Sequence, residues 1–244
     1  MLFRSLSADV PTPSGKIAIE VDLNVAPDVT IDLNGFTLRG AAGATYGILS
    51  NGFGHIEISG GTITGFAFDS MQLDCRDYRV EGVTFHGCLR GLNAGGWGRV
   101  SDCAFIEIAD NALRTVTIAH VERCLFWDCG DGIVVPDASI VADCRVVSST
   151  RSGIIAGSSS VVRDCVSVAN GGDAFLSGGV VENAARLREH HDIRRNILWA
   201  GEFALECAAR HLDIDDALLH PVALHQFALQ RHPFLCCVRR SEER

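Results

Sequence analysis

Six residues that carry carboxylate, guanidinium, amide or hydroxyl groups recur at a nearly constant spacing along the chain. They are Asp69, Arg90, Asn111, Asp131, Ser152 and Asp173. Carboxylates on neighbouring elements can ligate Ca²⁺ or act as acid and base on a sugar, and an arginine can hold a uronate carboxylate through paired hydrogen bonds. The pattern therefore predicts a substrate-binding site that also includes Arg151, which lies next to Ser152; its members are Arg90, Asn111, Asp131, Arg151 and Asp173. No cofactor is expected, apart from Ca²⁺ as an alternative ligand of the carboxylates.

A structural explanation of the same column stays open, because Asp, Asn and Ser are also favoured at tight bends. A second polar column favours the structural explanation more clearly, since it directly precedes a run of cysteines; its members are Asp102, Arg123, Asp143 and Asp164. For this second column we predict turn positions. Trp97 and Trp127 could stack on sugar rings, although isolated aromatic residues more often pack against their neighbours.

The polar columns follow a repeat that must position them. Pairs of a small and an apolar residue recur every 20 to 23 residues. They are Gly47-Ile48, Ser70-Met71, Gly91-Leu92, Ala112-Leu113, Gly132-Ile133, Gly153-Ile154 and Ala174-Phe175. A second column keeps the same period, at Val80, Val100, Val121, Val141 and Val162. The repeat unit is therefore about 21 residues long.

The apolar runs within each repeat are short, rich in β-branched residues and alternating, as in residues 29–33 and 17–23. Such runs predict strands, and the Gly, Asn, Asp and Ser clusters between them predict turns. A unit of this length cannot bury its own apolar face, whereas stacked coils bury a continuous core. We therefore expect an all-β solenoid and predict that the apolar members of the pairs form one buried column.

Four cysteines at the same period predict a column of neighbouring thiols, at Cys103, Cys124, Cys144 and Cys165. Residues in register on adjacent strands lie about 4.8 Å apart with parallel side chains, which exceeds the roughly 3.8 Å that a disulfide prefers between Cβ atoms. We expect reduced, buried thiols, and a row of thiols suits the tetrahedral coordination of zinc poorly.

The segment of residues 29–38, Val-Thr-Ile-Asp-Leu-Asn-Gly-Phe-Thr-Leu, resembles a first coil of the pectin-lyase-like right-handed parallel β-helix repeat proteins. The preceding strand and the later turns at residues 162–175 extend the resemblance over roughly residues 15–180. The resemblance implies a right-handed parallel β-helix, an association with carbohydrates, and an extracellular or periplasmic location. The hydrolase motifs Asn-Thr-Asp, Gly-His-Gly and Arg-Ile-Lys of the family and its lyase motif Arg-x-Pro-x-x-Arg do not occur, and the one Asp-Asp pair, at residues 215–216, follows no Asn-Thr-Asp.

Charge and hydropathy restrict the class of partner. The chain of 244 residues has a formal net charge of −9 and no basic patch, which disfavours nucleic acid and anionic lipid as partners. No apolar stretch reaches the length of a membrane-spanning helix, so membrane insertion is not expected. A polysaccharide is the partner that we expect, and the sequence indicates no oligomeric state.

The composition changes abruptly near residue 184, because 24 of the 25 glycines precede it. We predict an N-terminal lead-in strand and cap at residues 1–28, the β-helix at 29–183, and a mostly helical or irregular C-terminal segment at 184–244. That segment is either an evolved cap on the open end of the solenoid, a loose appendage or the product of a reading-frame shift.

These observations favour a β-solenoid with a carbohydrate-associated binding or structural role and no convincing catalytic site. The alternative is a polysaccharide lyase, glycoside hydrolase or epimerase that acts on an acidic polysaccharide. An enzyme requires two converging carboxylates, or a carboxylate with an arginine or histidine, in one groove, whereas a binding protein requires only an exposed polar surface.

Overall fold

The computed structural model describes residues 2–187, and all regular elements in this range are β-strands. Within this range no helix is long and apolar enough to cross a membrane. The predicted C-terminal segment lies outside the described residues except for its first four, three of which belong to a strand. The expectation of a cap or a loose appendage therefore stays a prediction, as do the predicted domain boundaries.

The strands form three sheets, and the strands of sheet A and sheet B follow one another closely along the chain. Sheet A consists of β1 (Leu2–Ser5), β4 (Asp28–Asp32), β7 (His55–Ser59), β10 (Asp77–Glu81), β13 (Trp97–Ser101), β16 (Ala119–Glu122), β19 (Ile140–Ala142), β22 (Val161–Arg163) and β25 (Val180–Glu182). Sheet B consists of β2 (Val10–Thr12), β5 (Thr37–Gly40), β8 (Thr62–Thr64), β11 (Thr84–His86), β14 (Ala104–Ile106), β17 (Leu125–Trp127), β20 (Arg145–Val147), β23 (Val166–Val168) and β26 (Ala185–Leu187).

Sheet C completes each coil. It consists of β3 (Ile19–Asp22), β6 (Ile48–Asn51), β9 (Asp69–Leu73), β12 (Arg90–Ala94), β15 (Asn111–Thr115), β18 (Asp131–Val135), β21 (Ile154–Ala156) and β24 (Phe175–Ser177). Within each sheet, every strand except the last pairs in parallel with the strand three elements further along the chain, which is the topology of a solenoid. The predicted all-β solenoid with a period of about 21 residues is confirmed.

The predicted core columns are also confirmed. In sheet C the register joins, coil by coil, Ile48, Met71, Leu92, Leu113, Ile133, Ile154 and Phe175. In sheet A it joins Val80, Val100, Val121, Val141 and Val162. Apart from the partly buried Phe175, these side chains are buried in one continuous core. Because successive coils place equivalent residues in register, the repeat period directly produces the core.

The small residue that precedes each apolar core residue has a steric cause. A Cβ atom added at Gly91 would lie 2.1 Å from the carbonyl oxygen of Ala112 and 2.8 Å from Cδ1 of Phe105. At Gly132 it would lie 2.6 Å from Cγ1 of Val146. The small residue therefore faces the interior together with the residue after it, and only small side chains fit against sheet B.

The second polar column occupies the turns between sheet A and sheet B. Its four members adopt positive φ angles between 51° and 56°, at Asp102, Arg123, Asp143 and Asp164. One left-handed residue suffices to redirect the chain between the two strands, which confirms the predicted turn role. The next residue in each case is a ladder cysteine, and all four of these thiols are free and buried. Each thiol donates to the carbonyl oxygen two residues earlier, as from Cys124 to Glu122 at 3.2 Å.

Candidate functional site

The predicted polar column lies at the corner where the chain enters sheet C. Asp69, Arg90, Asn111 and Asp131 are the first residues of β9, β12, β15 and β18. Two residues from the preceding turns join them, and we call the whole set the polar edge: Asp69, Arg90, Asp110, Asn111, Asp131 and Arg151. The structure thus brings four of the five predicted site residues together along one corner of the solenoid.

Asp69 and Arg90 form an ion pair at one end of the polar edge. The side chain of Asp69 is only 1% exposed, and Oδ2 accepts a hydrogen bond from Nδ2 of Asn93 at 3.5 Å. Burial raises the pKa of Asp69 above its usual value, and the opposing effects of Arg90 and Asn93 are smaller. Asp69 Oδ1 and Arg90 Nε are in contact without the alignment of a hydrogen bond, so Arg90 offsets only part of the cost of burial.

Asp131 organises the other end of the polar edge. Its Oδ2 accepts hydrogen bonds from Nε of Arg151 at 2.8 Å and from Nδ2 of Asn111 at 3.4 Å. Its Oδ1 accepts the backbone N–H of Ser152 at 3.0 Å, and Arg151 also contacts Asp110. One carboxylate therefore ties together side chains and backbone from three successive coils.

These contacts decide what the polar edge can bind. Both of its arginines already face carboxylates of the same chain, which leaves little of either guanidinium for an external anion. Asp173 lies in the turn before β24, and its carbonyl oxygen accepts the N–H of Gly153 at 2.8 Å. The assignment of Arg90, Asn111, Asp131, Arg151 and Asp173 to substrate binding stays a prediction, and the geometry adds a structural role for four of them.

The outer face of sheet C carries a second row of polar side chains beside the polar edge. Gln72, Asn93 and Arg114 are in register on the adjacent strands β9, β12 and β15, and we call them the outer row. Gln72 and Asn93 are partly exposed and Arg114 is exposed. Strand alternation could have located the row from the sequence, because each member directly follows a core residue of the apolar column. The outer row is not among the predicted site residues, most of which precede the small-apolar pairs instead.

Arg114 differs from the arginines of the polar edge, since its side chain has no ion pair or hydrogen bond among the described residues. The two amides beside it are anchored. Nδ2 of Asn93 donates to Asp69 as described, and Nε2 of Gln72 donates to Oδ2 of Asp74 at 3.1 Å. Their carbonyl oxygens remain available as acceptors on the same surface. The outer row therefore presents two oriented amides and one free guanidinium on three adjacent coils.

Charged side chains on the outer face of sheet A are mostly neutralised by one another. Glu122 contacts Arg99, and it also lies 2.7 Å from Arg123. Hydrogen bonds from these two arginines hold the pKa of Glu122 below its usual value. At another position Asp77 contacts both His55 and Arg76; burial opposes the effect, but their hydrogen bonds lower the pKa of Asp77. These pairs stabilise the sheet surface and neutralise the arginines that form them.

The tryptophans occupy separate sheets. Trp97 begins β13 in sheet A and Trp127 ends β17 in sheet B, and both are more than half exposed. They form no common surface with the outer row on sheet C. In the described part of the chain, no group of three or more His, Cys, Asp or Glu side chains is arranged to hold a metal ion, so the Ca²⁺ alternative finds no ligand cluster there.

Asp69 is expected to make the free energy of unfolding decrease as pH rises. Because its pKa is raised, the folded protein retains a proton that the unfolded chain has already released. The contribution is complete below the pKa of an unfolded aspartate, about 4, and is lost as pH rises through the folded-state pKa. Urea unfolding of wild type and Asp69→Asn at a series of pH values measures it, as the difference in unfolding free energy between the two.

That difference, wild type minus variant, should decrease with pH and then level off. In an Arg90→Gln background the fall should be larger, because Arg90 opposes the effect of burial on Asp69. A difference that increases with pH would show instead that the ion pair with Arg90 dominates.

No family model matches the chain, and neither a curated protein nor a solved structure is significantly similar to it. The parallel β-solenoid is therefore established by the topology of the chain itself, and the resemblance to pectin-lyase-like repeat proteins stays a prediction.

Proposed function

We propose that this protein is a noncatalytic β-solenoid that binds a carboxylate-bearing polysaccharide along the outer face of sheet C. The observation that carries the proposal is the outer row, in which an unpaired guanidinium stands beside two anchored amides. A guanidinium binds a carboxylate through two parallel hydrogen bonds, and amides recognise hydroxyl groups as donors and acceptors. Together they match the functional groups of a sugar acid.

The geometry of the row suits an extended polymer. Adjacent coils are about 4.8 Å apart, so Gln72 and Arg114 lie about 10 Å apart along the solenoid axis. Because these residues sit on hydrogen-bonded strands, they are held in place before the ligand arrives, which lowers the entropic cost of binding. A chain of sugars laid along the axis would meet one polar side chain on each coil.

One observation favours the enzymatic alternative, a lyase, hydrolase or epimerase. Burial raises the pKa of Asp69, as general acids require, and Asp69 lies next to the outer row through Asn93. However, the Asp69 side chain is 1% exposed, and its carboxylate is in contact with Arg90. A substrate would have to displace Arg90 and Asn93 to reach the carboxyl group of Asp69. Binding without catalysis is therefore the better supported function.

Arg114→Gln is expected to weaken binding of an acidic polysaccharide by about tenfold or more, because a hydrogen-bonded charged pair contributes roughly 1.5–3 kcal/mol. Calorimetry at low salt with polygalacturonate, alginate and a neutral dextran measures the effect. Arg145→Gln is the matched control, since Arg145 is also exposed and without an ion pair among the described residues, but begins β20 in sheet B. It should leave the affinity unchanged.

Three outcomes would contradict the proposal. Equal binding of dextran and the acidic polymers would remove the role of the guanidinium, and equal losses in both variants would indicate a nonspecific effect of charge. Release of unsaturated uronates or reducing ends by the wild type, abolished in Asp69→Asn, would support the enzymatic alternative instead.

A further inference from the structure

An open pocket of about 440 Å³ lies at the turns that lead from sheet C to sheet A. Six residues from four successive coils line it, and we call it the turn pocket: Asn24, Gly52, Phe53, Asp74, Cys75 and Gly95. Its volume falls within the range of small-molecule sites, roughly 300–1,000 Å³. It is distinct from the polar edge, which lies at the opposite end of the sheet C strands.

Hydrogen bonds between coils hold the walls of the turn pocket. The backbone N–H of Asp74 donates to the carbonyl oxygen of Ser50 at 3.0 Å, and that of Gly95 donates to Leu73 at 2.7 Å. One position of the turn pocket, residue 52, requires glycine. Gly52 has a φ of 119°, and a Cβ atom there would lie 2.7 Å from Nδ2 of Asn24. Hydrogen bonds between coils thus fix the backbone that lines the turn pocket.

The functional groups of the turn pocket are those of a site for uncharged, hydroxyl-rich ligands. Phe53 is 78% exposed and offers an aromatic face to the C–H groups of a sugar ring. The exposed amide of Asn24 and carboxylate of Asp74 can bind hydroxyl groups. Burial raises the pKa of Cys75 to about 12, so the thiol stays protonated and does not act as a nucleophile.

We infer that the turn pocket binds a neutral sugar unit of the same polysaccharide that the outer row binds. This inference rests on the proposed function, because Gln72 belongs to the outer row and donates to Asp74 of the pocket at 3.1 Å. Gln72 and Asp74 are two positions apart along the chain, a distance of about 7 Å, which one sugar chain can span. The Asp74 carboxylate repels a uronate, whereas Arg114 attracts one. The preferred ligand is therefore a polysaccharide that contains both neutral and acidic units.

Nuclear magnetic resonance with the full chain tests the inference, with cellobiose and maltose as neutral probes and trigalacturonate as the acidic probe. At least one neutral disaccharide should bind the wild type, and its saturation transfer should report contact with an aromatic ring. Phe53→Ala should weaken that binding about tenfold and leave binding of trigalacturonate nearly unchanged. Asp74→Asn should also weaken it, and should tighten binding of trigalacturonate by removing a negative charge. Trp97→Ala, which removes an exposed aromatic residue outside the pocket, is the control.

The two proposals fail in different ways. Absence of binding for both neutral disaccharides, or equal binding by Phe53→Ala and wild type, would overturn the pocket assignment while Arg114→Gln still weakened binding of the acidic probe. Loss of the Arg114 effect, with neutral binding still dependent on Phe53, would overturn the acidic specificity of the outer row and also the inferred mixed polymer. Circular dichroism confirms folding of each variant, which is expected because both Phe53 and Asp74 are exposed.

Discussion

Phe105→Ala is expected to destabilise the solenoid by about 3–5 kcal/mol, a large part of the 5–15 kcal/mol that typically separates folded from unfolded domains. Phe105 is fully buried and is the middle ring of a stack. Its centroid lies 4.6 Å from that of Phe85 and 4.7 Å from that of Phe126, and the rings are nearly parallel. Truncation leaves a cavity between two coils and removes both ring contacts.

Chemical denaturation monitored by circular dichroism measures the change in unfolding free energy. Phe53→Ala is a matched control, because the same side chain is removed from a position that is 78% exposed, and it should cost less than about 0.5 kcal/mol. Similar losses in the two variants would show that the aromatic stack does not hold the coils together.

Leu113→Ala should cost about 2–5 kcal/mol by cavity formation at the centre of the sheet C column. Leu113 is fully buried and is in register with Leu92 on one side and Ile133 on the other. Since each coil contacts only its two neighbours, the cavity weakens both coil interfaces at once. Loss of unfolding cooperativity, visible as a lower denaturant m-value or a second transition, would accompany the loss of stability.

Leu125→Ala provides the comparison for Leu113, because Leu125 is 39% exposed on the outer face of sheet B. The control should lose only a fraction of the stability lost by Leu113→Ala. Equal effects would contradict the assignment of Leu113 to the core column.

The experiments on Leu113 and Arg114 also separate stability from function within two consecutive residues. Leu113 faces the core and Arg114 faces solvent, because successive side chains of a strand point to opposite sides of the sheet. We expect Leu113→Ala to lower stability and Arg114→Gln to lower affinity for the acidic polysaccharide without a comparable loss of stability. The same alternation places Met71 inside and Gln72 outside two coils away.

The sequence by itself determined the solenoid, its period and its core columns. Those features depend on the local alternation of apolar and polar residues and on the repeat, and both are visible in the sequence. Equal spacing brings Leu92, Leu113 and Ile133 into register once parallel coils stack. The turn positions of Asp102 and Arg123 were also predictable, since position between two strands is a local property.

Only the tertiary structure decided which polar groups are free to bind a ligand. Arg90 and Arg114 are one period and a few residues apart and look equivalent in the sequence, yet Arg90 contacts a buried carboxylate and Arg114 contacts none among the described residues. The turn pocket likewise joins Asn24 to Phe53 and Asp74, which come from three different coils. Ion pairing and pocket shape depend on side-chain positions across coils, where a shift of a few ångströms makes or removes a contact. The period of the repeat determines which residues become neighbours, and the packed structure determines which of these neighbours form ion pairs or hydrogen bonds with one another.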